Sequence, residues 1–185
     1  MMEVPESYHQ SAVKLMIVGQ ETRGWAEEIK ALTTVRELMS FYSGFNLGEK
    51  YRASPFWQAA QQFHRSLNPK GPERSYLWSN LIKVSQQKKR PIPSIEENIC
   101  NLGLLQAEIE ITRPSVVVFF TGPSYDNRLK STFSGITFDS SSRRLSRLVH
   151  PQLPHHSYRT YHPNYLRRSK NNRMVLDEIK KLVVG

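Results

Sequence analysis

Apolar positions along the chain follow two different periods, and the switches between them outline the elements. Val13 to Val18 is a short, almost wholly apolar run closed by Gly19, the pattern of a central strand buried on both faces. From Trp25 to Tyr42 the apolar residues Trp25, Ile29, Leu32, Val35, Leu38, Met39 and Tyr42 recur at helical spacing, and Gly44 and Gly48 then mark a loop. Ser54-Pro55 reads as an N-cap followed by proline at the first helical position, with Phe56, Ala59, Ala60, Phe63 and Leu67 along one face of a second helix. Tyr76 to Val84 is the next strand, and Gln86 to Pro93 a polar, cationic connection. Ser94 and Glu97 have capping-box spacing and open a helix reaching about Ile111, closed by Pro114. Ser115 to Phe120 is a third buried strand, followed by a short helix from Ser124 to about Phe133. Ser134 to His156 has no helical period and reads as a weak hairpin or a long loop. Ser157 to Tyr161, rich in aromatic and β-branched residues, is the last strand. Leu166, Met174, Val175, Ile179, Leu182 and Val183 then mark a C-terminal helix.

Strands alternating with helices predict an α/β fold, a three-layer sandwich with a central, mainly parallel four-stranded sheet flanked by helices. At 185 residues and 38% hydrophobic content the chain is expected to form one domain spanning 1–185, with a core that needs no staple. The formal net charge of +10 changes the picture more, because it favours a polyanionic partner, with a nucleic-acid backbone first among them. Cys100 is the single cysteine, which excludes a disulfide framework and an all-cysteine metal cage and points to a reducing, cytoplasmic setting. Glu3 and Glu6 stand where a signal peptide needs an apolar run, and no segment approaches membrane-spanning length, so no membrane association is expected.

In an open α/β sheet ligands sit outside the carboxyl ends of the strands, so candidate chemistry is sought there. Pro163 cannot donate to a sheet ladder, which puts His162 at the end of the last strand. The same logic picks Gly19, Gln20 and Glu21 after the first strand and Asn80 within the second. Tyr161 to Arg168 combines a histidine, a rigid turn, a large apolar side chain and two cations, a set suited to grasping a nucleic acid. Lys88, Lys89, Arg90, Arg143 and Arg144 are further phosphate-contact candidates.

Taken in order, these residues resemble the uracil-DNA glycosylase superfamily. The resemblance rests on Gly19-Gln20-Glu21 after an apolar strand, Pro55-Phe56, Ser79-Asn80 in a strand and Arg90-Pro91. It continues through Glu97 with Cys100 and Arg113-Pro114 before a strand ending at Gly122, and closes on His162-Pro163 with Leu166 four residues after the histidine. It implies a monomeric, cofactor-free and metal-free enzyme that removes uracil or a related deaminated base from single- or double-stranded DNA. Glu21 would position water and stabilise the sugar cation, and His162 would donate to the carbonyl oxygen of the leaving base. Asn80 would read the base edge, Phe56 would stack on the extruded base within a pocket shared with Gly19 and Gln20, and Leu166 would be the wedge entering the duplex beside Arg167 and Arg168. Each residue also has a plainer reading. Glu21 would cap a helix, His162 would hold a turn, Asn80 would fix a strand end, Phe56 and Leu166 would fill core, and the arginines would be solvated charges.

The departures matter too. The best-known subfamily carries aspartate, proline and tyrosine where this chain has Glu21, Thr22 and Arg23, so the residue that excludes thymine is missing. A related subfamily holds an iron-sulfur cluster on four cysteines. Cys100 resembles one of those ligands and the other three are absent. That subfamily's carboxylate falls at Gln20, which cannot act as a base. A pocket in that register would make the protein a catalytically silent nucleic-acid binder.

Overall fold

In the computed structural model the described residues are 4–22, 34–83, 85, 91–94 and 102–185. The elements are β1 Leu15–Glu21, α1 Val35–Gly44, α2 Pro55–Leu67, β2 Leu77–Ile82, α3 Leu104–Thr112, β3 Val116–Phe119, α4 Asp126–Thr132, β4 Thr137–Ser142, β5 Leu145–Val149, β6 His156–Thr160, α5 Pro163–Arg168 and α6 Asn172–Val184. They build one sheet of order β2-β1-β3-β6-β5-β4. The first four strands pair in parallel, while β5 runs antiparallel to β6 and β4 antiparallel to β5. The sheet therefore has six strands and not the expected four.

The two added strands come from the stretch read as a hairpin or loop. Their pattern is hidden because a polar pair fills an inward position: the Ser140 and Ser146 hydroxyls bond each other at 2.5 Å across the hairpin, and Ser146 is fully buried. Hydroxyls satisfied in this way can be buried without breaking the sheet, but they erase its alternating signature. The pairing also shifts register between Asp139 and Ser142.

Side-chain alternation along β1 splits the core between the two faces of the sheet. Met16 and Val18 join Leu105 and Ile109 of α3 and Leu129 of α4 on one side. Leu15 and Ile17 join Ala60 and Phe63 of α2, Leu166 of α5 and Val175 and Ile179 of α6 on the other. Asn68, just after α2, extends β1 backwards: its Oδ1 accepts from the Val13 amide at 2.8 Å and its Nδ2 donates to the Val13 carbonyl at 2.9 Å.

Two helix boundaries differ from the sequence pattern. Of the helix expected from Ser94 to Ile111, 95–101 lie outside the described residues; α3 begins at Leu104, after Gly103, whose φ of 64° places it in the left-handed region. The single C-terminal helix is two helices, α5 and α6, separated at Lys170 with φ 56°; there the Asn171 amide returns to the Leu166 carbonyl at 2.9 Å. The first part of the helix expected from Trp25 lies outside the described residues. Its remainder, α1, opens with a capping box between Thr34 and Glu37. Lys88, Lys89, Arg90, Glu97 and Cys100 also lie outside the described residues. No helix among the described residues is long and apolar enough to cross a membrane.

Candidate active site at the strand ends

The carboxyl ends of β1, β2, β3 and β6 converge, as the register requires: Gly19 lies opposite Asn80, the Phe120 amide bonds the Val18 carbonyl at 2.8 Å, and the Gly122 amide bonds the Thr160 carbonyl at 2.9 Å. Gly19 is the centre of this convergence. A Cβ built on it would stand 2.5 Å from Asn80 Oδ1 and 3.3 Å from Phe56 Cε2, so the close approach of these two side chains depends on the missing one. Phe56, in the first turn of α2, meets Phe120 edge-on at 5.8 Å. It also lies nearly parallel to the His162 ring, with centroids 6.1 Å apart and planes at 29°. Gly19, Phe56, Asn80 and His162 are thus brought together from four parts of the chain. Phe56 packs against the core while lying beside the histidine ring.

His162 is the N-cap of α5, and its Nδ1 accepts from the Asn164 amide at 3.2 Å. An accepting Nδ1 puts the proton of the neutral ring on Nε2, which makes Nε2 a hydrogen-bond donor. The turn role and the donor role are one arrangement: the cap selects the tautomer. Pro163 at the first helical position gives up an amide that would have had no helical partner.

Asn80 is 4% exposed, and its Nδ2 lacks a partner of ordinary hydrogen-bond geometry among the described residues, although it is close enough to Tyr42 to favour that hydroxyl's ionised form. Burial dominates at Tyr42 and pushes its hydroxyl well above the usual range, so it remains protonated. The hydroxyls of Thr121 and Thr160 are likewise buried without hydrogen-bond partners among the described residues. The Asn80 amide and these two hydroxyls lie at the same end of the sheet.

Glu21 is two residues beyond Gly19, roughly 6.6 Å further along the strand. Its carboxylate accepts a short hydrogen bond from the Tyr125 hydroxyl, in the turn before α4, and not from a member of the Gly19 group. The Gln20 amide is tied to the Thr121 carbonyl at 2.9 Å. Sequence reasoning missed Tyr125. The available signal was the strand-end rule applied to β3, whose end at Thr121-Gly122 lies just ahead of it.

Leu166 is fully buried against the core of α2 and α6, which supports the core reading of this residue over the wedge reading. The exposed apolar side chain of α5 is its neighbour Tyr165. Arg167 and Arg168 are exposed on the same short helix. Arg143 and Arg144 form the β4–β5 turn and come to the same end of the sheet, because Leu145 pairs with Thr160 at the end of β6. Among the described residues no group of three or more His, Cys, Asp or Glu is placed to hold a metal ion.

A family model described as the uracil DNA glycosylase superfamily matches residues 6–182. The chain belongs to the uracil-DNA glycosylase superfamily. No curated protein sequence matches it. Among solved structures, it is similar to a domain of unknown function from Bordetella bronchiseptica, crystallised with bound citrate as a domain-swapped dimer, at 13% identity and a TM-score of 0.38. That match covers 94% of this chain, which spans 43% of the other. For this member of the glycosylase superfamily the family match spans all the strands that bring Gly19, Phe56, Asn80 and His162 together.

Proposed function

We propose that this protein is a monofunctional DNA glycosylase that hydrolyses the glycosidic bond of uracil or a related deaminated base. The observation that carries the proposal is the buried Asn80 amide, held against Gly19 and Phe56 beside the paired rings of Phe56 and His162. A pyrimidine edge offers both a carbonyl acceptor and an N–H donor, the complement of an amide, and paired contacts of this kind discriminate by about 1–3 kcal/mol.

The chemistry follows from these groups. As the bond to the base breaks, its electron pair leaves with the base and positive charge grows on the sugar. The His162 Nε2–H donates to the carbonyl oxygen on which the negative charge collects. Glu21 stabilises the sugar cation and takes a proton from the water that adds to the anomeric carbon. Tyr125 holds that carboxylate in one orientation. A neutral His162 suits this task better than a cation, which would stand close to the developing positive sugar.

The test is release of uracil from an oligonucleotide, read as alkali-labile abasic sites. Glu21→Gln is expected to retain the fold and DNA affinity and to lose at least about 10² to 10⁴-fold in turnover. Turnover that survives this change removes Glu21 from the mechanism.

The second reading is a catalytically silent binder. It is favoured by the described hydrogen bond of Glu21, which runs to Tyr125 and not into the Gly19 group, and by Gln20 at the position where a related subfamily has its carboxylate. Wild-type protein that binds DNA but leaves uracil, hypoxanthine and xanthine substrates intact would establish it.

A further inference from the structure

Beside the pocket the chain builds a second aromatic surface that the reading above does not use. Tyr161 and Tyr165 flank His162 in sequence, one preceding it and the other three residues later. Their rings stack with centroids 4.3 Å apart and planes at 26°. The lower ring is anchored: Tyr161 is half-buried against the core shared by α2 and α6. The upper ring is open, Tyr165 being 51% exposed. A large aromatic ring presented to solvent on a rigid aromatic base is arranged for another flat ring to extend the stack.

The surroundings identify that ring. Arg167 and Arg168 are exposed on the same helix, and the Arg143–Arg144 turn lies at the same end of the sheet, where the Arg144 guanidinium approaches Met174 Sδ at 3.7 Å. Aromatic faces interleaved with cations suit a nucleic-acid strand, whose bases stack while its phosphates meet the charges. Leu166, the residue expected to enter the stack, is sealed in the core one position further along.

We propose that Tyr165, seated on Tyr161, is the stacking surface for the DNA base next to the nucleotide that enters the Gly19 pocket. The open ring then takes the place vacated in the base stack, and Arg167 and Arg168 hold the flanking phosphates. This rests on the proposed capture of a nucleotide at His162, but it concerns binding and does not require the glycosidic bond to be cut.

The test compares wild type, Tyr165→Ala and Tyr165→Phe on an oligonucleotide carrying an abasic-site analogue with 2-aminopurine beside it, in single-stranded and duplex form. Affinity is read by anisotropy, stacking by 2-aminopurine emission, and fold by thermal denaturation. Loss of one base–aromatic stack is expected to weaken Tyr165→Ala about 5- to 150-fold and to abolish the emission change, with the melting temperature nearly unmoved. Tyr165→Phe should behave as wild type. Equal affinity and emission for wild type and Tyr165→Ala would overturn the proposal, and so would a Tyr165→Ala protein that no longer folds, since the ring would then be structural. Uracil release is scored separately. Wild type that binds through Tyr165 yet releases no base leaves this proposal standing and removes the excision reading. Wild type that excises with an indifferent Tyr165 does the reverse, and wild type that binds no DNA overturns both.

Discussion

Replacing Gly19 with alanine adds one methyl group at the point where three parts of the site meet. Its Cβ would lie 2.5 Å from Asn80 Oδ1, against an ordinary contact of 3.4 Å or more, so the amide must retreat by about 0.9 Å. Retreat is obstructed because Asn80 is 4% exposed, and Phe56 Cε2 closes the other side at 3.3 Å. Overpacking of this kind costs about 1–3 kcal/mol, which for a chain of this length lowers the melting temperature by about 2–12 °C. A displacement near 1 Å at a positioning group costs about 10²-fold in rate, so Gly19→Ala should lose more activity than stability.

Denaturation of Gly19→Ala, Asn80→Ala and the double variant tests the steric reasoning without any assumption about chemistry. Removing the amide makes room for the methyl group, so the double variant should be more stable than the sum of the single losses predicts, by about the 1–3 kcal/mol of overpacking. Additive losses, or a Gly19→Ala protein with wild-type stability and turnover, would refute the close packing at Gly19.

Two further outcomes follow from burial. Leu166→Ala should lose about 2–5 kcal/mol of stability in chemical denaturation, because the side chain is fully buried; lost DNA capture at unchanged stability would restore it as a wedge. Burial holds the His64 imidazole below its ordinary value of 6.5, while its Nε2 donates to the Pro72 carbonyl at 2.8 Å. The unfolded chain then takes up a proton that the folded chain refuses, so stability should fall as pH drops below about 6.5 and level off beneath the folded value. A His64→Gln variant should lose that part of the pH dependence, and an identical pH profile in the two proteins would disprove the assignment.

The sequence was informative where one interaction dominates. β1 and β3 are buried on both faces and so read as apolar runs, and α2 carries Ala59, Ala60, Phe63 and Leu67 on one face, as its period predicts. It was least informative where polar groups satisfy one another in the interior. Ser146 bonded to Ser140, and Arg159 at 4% exposure paired with Asp126, are invisible to a rule that equates polar with exposed. Similarly, Leu166 could not be assigned from spacing alone, since its distance from His162 suits a wedge and its neighbours Val175 and Ile179 suit a core. Packing against α6 favours the core. The strand-end rule found Gly19, Asn80 and His162, but the tautomer-setting bond from the Asn164 amide depends on the helix turn beginning at Pro163 and needed the backbone in three dimensions.

The hairpin, which the sequence offered only as an alternative to a long loop, gives the positive charge its address. Because β5 runs against β6, its start lies at the carboxyl end of β6, and the turn that precedes it carries Arg143 and Arg144 to the same side as His162. Arg159 fastens that turn: its guanidinium donates to the Arg143 carbonyl at 3.0 Å and pairs through Nε with Asp126 Oδ1 at 3.0 Å, linking the hairpin to the first residue of α4. A buried pair of this type is a poor source of net stability, since desolvation offsets much of the attraction, but it fixes direction. Tyr125, the partner of Glu21, immediately precedes Asp126. The Arg159–Asp126 pair therefore joins the cationic turn to the segment that orients the candidate catalytic carboxylate, and a change at either residue would disturb the Arg143–Arg144 turn and Glu21 together.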